Sequence, residues 1–267
     1  SWSRGLSVND EDAFLNLRRD LDVEIPRIEA RGSELDEKLP ELGYALRSAE
    51  ENVERLEERR RHLLEANSNV PMEIARLRSG LAVALDRDAG ELPFVGELIQ
   101  LVPDEVKWTG PVERLLRSFA LTVVVPPKLA EQAEAFLEEN QLGERLAFVC
   151  PDPDPKEPKL HDDSVVAKLT VRPELDAIRQ TWLRAELTER FPHLCREEPD
   201  AEFHKTPDGL TLAGLFKTDG VLWEKDDLHP VDDASRFVLG WDVDPKQRAL
   251  DELLGGARET ADEAGRA

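Results

Sequence analysis

Apolar residues return at every seventh position through the first quarter of the chain. Phe14, Leu21, Ile28, Leu35, Leu42, Ala49, Leu56 and Leu63 make one row, and Ile25, Leu39, Leu46 and Val53 supply much of a second, four residues after members of the first. A row held in register this long keeps one seam turned toward a partner helix, the pattern of a coiled coil. Glu51/Arg55 and Glu57/Arg61 stand four apart on the outer face, acid first, the favourable order. Gly32 and Arg60 interrupt the second row. Pro26 and Pro40 each lack an N–H and clash one turn back, so the spacing predicts an arm with joints near 26 and 40 rather than one rigid rod.

A seam needs a partner. The segment from Pro245 to Ala267, with Ala249, Leu250, Leu253 and Leu254, offers a shorter helix weakened at Gly255-Gly256. After a break at Ser68-Asn69-Val70-Pro71, the residues Ile74, Leu77, Leu81, Ala84 and Leu85 resume the helical period. If the two ends of the chain return along each other, residues 66–88 are expected beside 246–260.

Between them the periodicity changes. Phe94 to Val102 reads as a strand, and Thr109 as the cap of a helix carrying Leu115, Leu116 and Phe119. Leu121 to Val125 reads as a buried strand, Lys128 to Asn140 as a helix, and Arg145 to Cys150 as a strand. The Pro- and Asp-rich run 151–163 is a solvated loop. A strand at Val165–Val171 and a helix at Ala177–Phe191 follow, then β-prone runs at Leu210–Phe216, Val221–Trp223 and Phe237–Trp241. The fold class is therefore α+β: a small mixed α/β domain, 90–243, inserted between an N-terminal arm, 1–89, and a C-terminal helix, 244–267, of an antiparallel coiled coil. Its further possible joint is at 67–71.

The formal charge of −22, from 57 acids against 35 bases, opposes binding to duplex DNA, which rests on Lys and Arg neutralising phosphates. No apolar run approaches the roughly 20 residues of a membrane span, and no charged-then-apolar leader opens the chain. The opening Ser-Trp-Ser reads as the interior of a longer protein. Cys150 and Cys195 have no C-x-x-C or zinc spacing and read as free thiols in a reducing cytosol.

Chemical motifs are sparse. There is no G-x-x-x-x-G-K-[ST], no G-x-G-x-x-G after a strand and no G-x-S-x-G. The two cysteines and His161, His193, His204 and His229 are scattered. Asp226, Asp227, His229, Asp232 and Asp233 could gather a divalent ion for a hydrolase, or could cap turns and pair with Lys225 and Arg236. Arg59-Arg60-Arg61 lies among Glu57, Glu58 and Glu65, as on a salt-laced helix face. The residues point to a module without catalytic, cofactor or metal residues of its own. Trp108, Trp182, Trp223 and Trp241 fit core positions, with at least one at a contact between subunits.

The run "LPFVGELIQLVPDEVKWTGPVERLLRSFALTVVVP", 92–126, resembles the hinge of Wadjet-type SMC-like ATPases of the JetC or MksB kind. "SNVP" (68–71), "AKLTV" (167–171), "WLRAELTERFPHLC" (182–195), "WEKDD" (223–227) and "DDASRFVLGW" (232–241) follow in the same order as in that family. The matching motif residues are Gly96, Trp108, Gly110, Glu113, Arg114, Trp182, Glu224, Lys225, Asp226, Asp227, Gly240 and Trp241. The stretch 210–222 departs from the family, which has a basic run there; this chain has Lys217 alone. The resemblance implies a homodimerising hinge at a coiled-coil tip. It also implies an ATP- and Mg²⁺-using head outside this chain, a kleisin, winged-helix KITE-type subunits, a Toprim-type nuclease and DNA as partners, and a nucleoid-associated, cytoplasmic complex that extrudes DNA in plasmid defence. A hinge of another MukB-like condensin in chromosome organisation, or a hinge that contacts DNA, are the alternatives. Two apolar runs are candidates for the contact between copies: Leu115, Leu116 and Phe119, and Leu210, Leu212, Leu215 and Phe216. Both runs also fit a core.

Overall fold

The computed structural model describes residues 11–266, so the expectation about the opening Ser-Trp-Ser, and the first ten residues of the expected arm, lie outside the described residues. Helix α1 runs from Glu11 to Ala66 and passes through both Pro26 and Pro40. The helix is continuous through both prolines, where an arm with joints was expected. Each proline deletes one hydrogen bond, and the turns on either side keep theirs, so the helix absorbs the loss locally.

The chain divides into two compact units, one of residues up to Arg55 with Leu254–Ala267, the other Leu56–Leu253. In the smaller unit, α1 meets the end of α7 (Asp244–Arg266), where Gly265 approaches the Leu46 side chain. Ala49, Leu254 and Ala257 are buried there, whereas Phe14, Leu21, Ile25, Ile28, Leu35 and Leu39 are exposed. The heptad stripe is thus covered in its later turns and bare in its earlier ones.

In the larger unit, α1 ends at Ala66 and α2 begins at Met72, running to Ala84. Its inward residues Ala75, Leu81 and Ala82 join Val70, Leu92, Phe94, Val123, Val125, Leu129, Ala133 and Leu146 in one core. This core takes in α4 (Ala130–Glu139) and a parallel pair, β2 (Thr122–Val124) with β3 (Ala147–Val149). So α2 packs on α4 and belongs to the globular unit. It is the last turns of α1 that flank α7: Arg60 pairs with Asp251, and the Lys246 ammonium donates to the Asn69 carbonyl at 2.6 Å. The two helix ends run antiparallel there.

A second core gathers Val112, Leu116, Phe119, Trp108, Trp182, Leu183, Leu187, Cys195, Leu210 and Val238. It lies between α3 (Thr109–Ala120), α5 (Ala177–Arg190) and two sheets. One sheet is the antiparallel pair β1 (Ile99–Leu101) and β4 (Leu169–Val171). The other has the order β5-β6-β7-β8, built from Leu194–Arg196, Gly209–Thr211, Phe216–Thr218 and Leu222–Glu224. The short helix α6 (Ala201–Lys205) connects the parallel strands β5 and β6. The run Leu210–Phe216 is not one strand. It folds into a hairpin, with the Thr211 N–H donating to the Leu215 carbonyl and the turn completed by Gly214. Thr109 is the first residue of α3 rather than its cap, and its hydroxyl donates back to the Val106 carbonyl.

Candidate self-association surface

Most of the motif residues converge on the start of α3 and the extended segment 226–240. Glu113 is buried, and its two carboxylate oxygens accept from the backbone N–H of Val238 at 2.8 Å and of Leu239 at 2.9 Å. Arg114 donates to the His229 carbonyl and lies 3.5 Å from Asp227. A Cβ at Gly110 would sit 2.0 Å from the Val231 carbonyl oxygen, so only glycine lets this segment cross α3. Gly240, at φ +90°, turns the chain back toward Gly96, whose carbonyl accepts from its N–H. The Asn69 side-chain amide then donates to the carbonyls of Leu239, Gly240 and Asp242. Segment 237–241 is therefore no strand: its backbone groups are satisfied by Glu113, Gly96 and Asn69. Trp108 and Trp182 lie in the core, and Trp241 is half-buried with Arg172 over its ring.

The carboxyl of Glu113 is pushed up to about 7 by burial, against the pull of its two backbone donors and of Lys246. It borders a cavity of about 600 Å³, walled by Leu101, Val102, Pro111, Phe237 and Leu239. A perturbed carboxyl in a cavity is a common sign of catalysis. Here both oxygens are committed to main-chain donors, which assigns Glu113 to holding the segment.

The acidic run 226–233 disperses. Asp227 pairs with Lys225 at 2.7 Å, Asp226 accepts from the Leu228 N–H, and Asp233 accepts from the N–H and hydroxyl of Ser235. Among the described residues, no three His, Cys, Asp or Glu side chains converge as a metal site would require. Both cysteines are free; Cys195 is buried, and its thiol is pushed up to about 12, chiefly by that burial.

The apolar runs considered for a contact between copies lie mostly inside one chain. Leu116 and Leu210 have no exposed surface, and Phe119 is buried. Leu115, Leu212 and Phe216 pack partly buried against the same core, and Leu215 is half-buried in the hairpin. Their spacing marks the apolar stripe of α3 and the inward face of β6, which the monomer itself uses. Exposed apolar surface appears at a place the periodicity did not single out. Among the described residues strand β8 has no further strand on its outer side, and all three of its residues are exposed. Val221 at 83% and Leu228 at 84% flank it, with Leu222 and Trp223 between them. The Trp223 ring rests on Phe203, His204 and the Lys217 ammonium, 5.0 Å from its centroid, which leaves its other side open. Lys217 is buried and donates to the Phe203 and His204 carbonyls, closing α6. It is therefore taken up inside the fold, not offered to DNA. A signal for this surface did exist in the sequence: the run "GVLW", four residues without a charge, before an acidic loop.

No family model matches the chain, and no curated protein matches it. Solved structures similar to this chain include the following three. The Smc hinge domain of Pyrococcus furiosus with an extended coiled coil is 18% identical, with 93% of this chain and 89% of that one covered and a TM-score of 0.45. An asymmetric dimer of the Geobacillus stearothermophilus SMC hinge domain is 15% identical, with 90% and 94% covered and a TM-score of 0.42. The folded elbow of cohesin is 14% identical, with 93% of this chain but 35% of that chain covered, at 0.45. At such identities and TM-scores nothing about function passes from those proteins to this one. No described helix is long and apolar enough to cross a membrane.

Proposed function

We propose that this chain is the joint of a long-armed SMC-type protein, a globular unit that holds two copies together where paired helices reverse. The observation that carries this reading is the open outer edge of strand β8 with its exposed Val221, Leu222, Trp223 and Leu228. Open, apolar edge strands invite another strand, and soluble proteins normally cover or charge them. A second copy laid along β8 gains main-chain hydrogen bonds and apolar contact together. The antiparallel ends of α1 and α7 support the same reading, because they carry chain to and from the unit as one pair of helices. The earlier, bare turns of the α1 stripe are covered, in this reading, by a returning helix that continues α7.

Within SMC-type proteins we assign the chain to the Wadjet kind, on the sequence blocks between 68 and 241. Its partners would then be a kleisin, KITE-type subunits, a Toprim-type nuclease and DNA, with ATP and Mg²⁺ at a separate head. A gene for a nuclease subunit beside this one separates that assignment from a condensin of chromosome organisation.

The test is light scattering of the chain across a micromolar dilution series. Two chains per particle are expected, and one chain per particle after Leu222→Glu with Leu228→Glu. Both residues are exposed, so the variant should unfold at the same denaturant midpoint. A wild-type chain that stays single refutes the reading.

A further inference from the structure

In a chain of net charge −22, five basic side chains line one small cavity of the larger unit: Arg59 and His62 of α1, Arg117 of α3, Arg236, and Lys246 of α7. Three successive carbonyls hold three of them in place. Ser235 O accepts from Arg59 at 2.9 Å, Arg236 O from Arg117 at 2.6 Å, and Phe237 O from Lys246 at 2.8 Å. A carbonyl satisfies a donor without cancelling its charge. The fourth cation, the Arg236 guanidinium, makes no hydrogen bond or ion pair among the described residues. The cations feel one another: Arg117 is lowered by burial and then by Arg236 and Arg59, and Lys246 by burial, Arg59, Arg117 and Arg236. Arg59 has a further partner beside its carbonyl, and acids stand against the cluster as well. Glu113 is buried with both oxygens on main-chain N–H groups, and Glu73 is exposed at the rim.

Two further features face the same space. The His62 Nε2 atom is buried and has no partner. Helix α2 starts at the cavity wall, with Pro71 at its cap and no side chain capping it. The N–H groups of a helix's first turn have no partner within the helix and carry the positive end of its dipole. Cations, an unpartnered ring nitrogen and a helix start thus meet in a cavity of about 190 Å³. At ~30 Å³ for each water, that is the space of about six waters, which suits one tetrahedral anion and is below the ~300 Å³ of pockets that hold larger organic ligands.

We propose that this cavity binds a single phosphate group, either as free orthophosphate or at the end of a larger molecule. Arg59, Arg117 and Arg236 supply the charge, Lys246 supplies a further donor, and the first turn of α2 supplies main-chain donors. The inference goes beyond the self-association proposed above and does not rest on it: every residue of the site belongs to one chain.

Isothermal titration at constant ionic strength, with chloride as the background anion, tests it with orthophosphate, AMP and adenosine as probes. Saturable binding of orthophosphate is expected, with AMP alone binding if the site requires a carried phosphate. Arg236→Gln should weaken binding tenfold or more without lowering the unfolding temperature of the free protein, since that side chain makes no hydrogen bond or ion pair among the described residues and its charge only repels Arg117 and Lys246. His62→Leu should weaken it less. Binding of adenosine as strong as AMP overturns the proposal, as does no saturable heat with either phosphate, or Arg236→Gln binding like the wild type. Repeating the titration on the Leu222→Glu, Leu228→Glu chain keeps the result separate from the state of association.

Discussion

Glycine 110 and glutamate 113 show how single residues fix this fold. A methyl group at 110 would stand 2.0 Å from a main-chain oxygen of Val231, and neither α3 nor the segment crossing it has slack. Gly110→Ala is therefore expected to destabilise the larger unit by about 3 kcal/mol or more, read from the urea midpoint. Glu113 gives a pH signature. Its folded carboxyl stands at about 7 against 4.5 for the free group, so its contribution to stability is complete below 4.5 and is lost as pH rises through 7. Lys246 is lowered from 10.5 to about 7, so its contribution is complete above 10.5 and is lost as pH falls through 7. Together these groups place a stability minimum near neutrality. The groups around Glu113 are Lys246, Arg117 and the two N–H donors of Val238 and Leu239. Glu113→Gln should remove the fall between pH 4.5 and 7, a difference of at most about 3 kcal/mol, measured by denaturation at each pH. Glu113 and Gly110 were visible in the sequence as parts of a motif run. Their purpose was not, because their partners Val231, Val238 and Leu239 lie more than a hundred residues away.

At the scale of elements, periodicity was read well and edges poorly. The seven-residue row marks the face of α1 that is covered at Ala49, Leu56 and Leu63. The helices α3, α4 and α5 fall where their apolar spacing put them, within a residue or two. The strands are three residues each, too short for alternation to declare itself, so Leu210–Phe216 looked like one strand and is a hairpin. Leu116, Phe119 and Leu210 announced an apolar face without saying whose core would use it. Pro26 and Pro40 were expected to kink or interrupt α1, and the helix is continuous through both. Their cost remains, since a proline inside a helix loses about 3 kcal/mol relative to alanine. Pro40→Ala should raise helicity in circular dichroism and slow proteolysis of the exposed turns around Leu35 and Leu39. Unchanged cleavage there would mean that the helix is not strained at the proline.

For the whole molecule, charge and apolar surface act in opposite directions. Two copies of net charge −22 repel each other over a range that salt shortens to about 8 Å under physiological conditions, while the patch at β8 attracts only on contact. Association should therefore strengthen as salt rises from low to physiological, and sedimentation at the two salt concentrations checks this. A contact led by ion pairs would weaken instead. The basic cavity has little effect on that balance, because its few cations are set against a net charge of −22. Its architecture matters in another way. Residues 235–237 form a short ribbon clasped by Arg59 from one helix, Lys246 from another and Arg117 from a third. Tension applied to α1 or to α7 reaches those same three peptides, so the ribbon is one place where a pull on one rod is felt by the other.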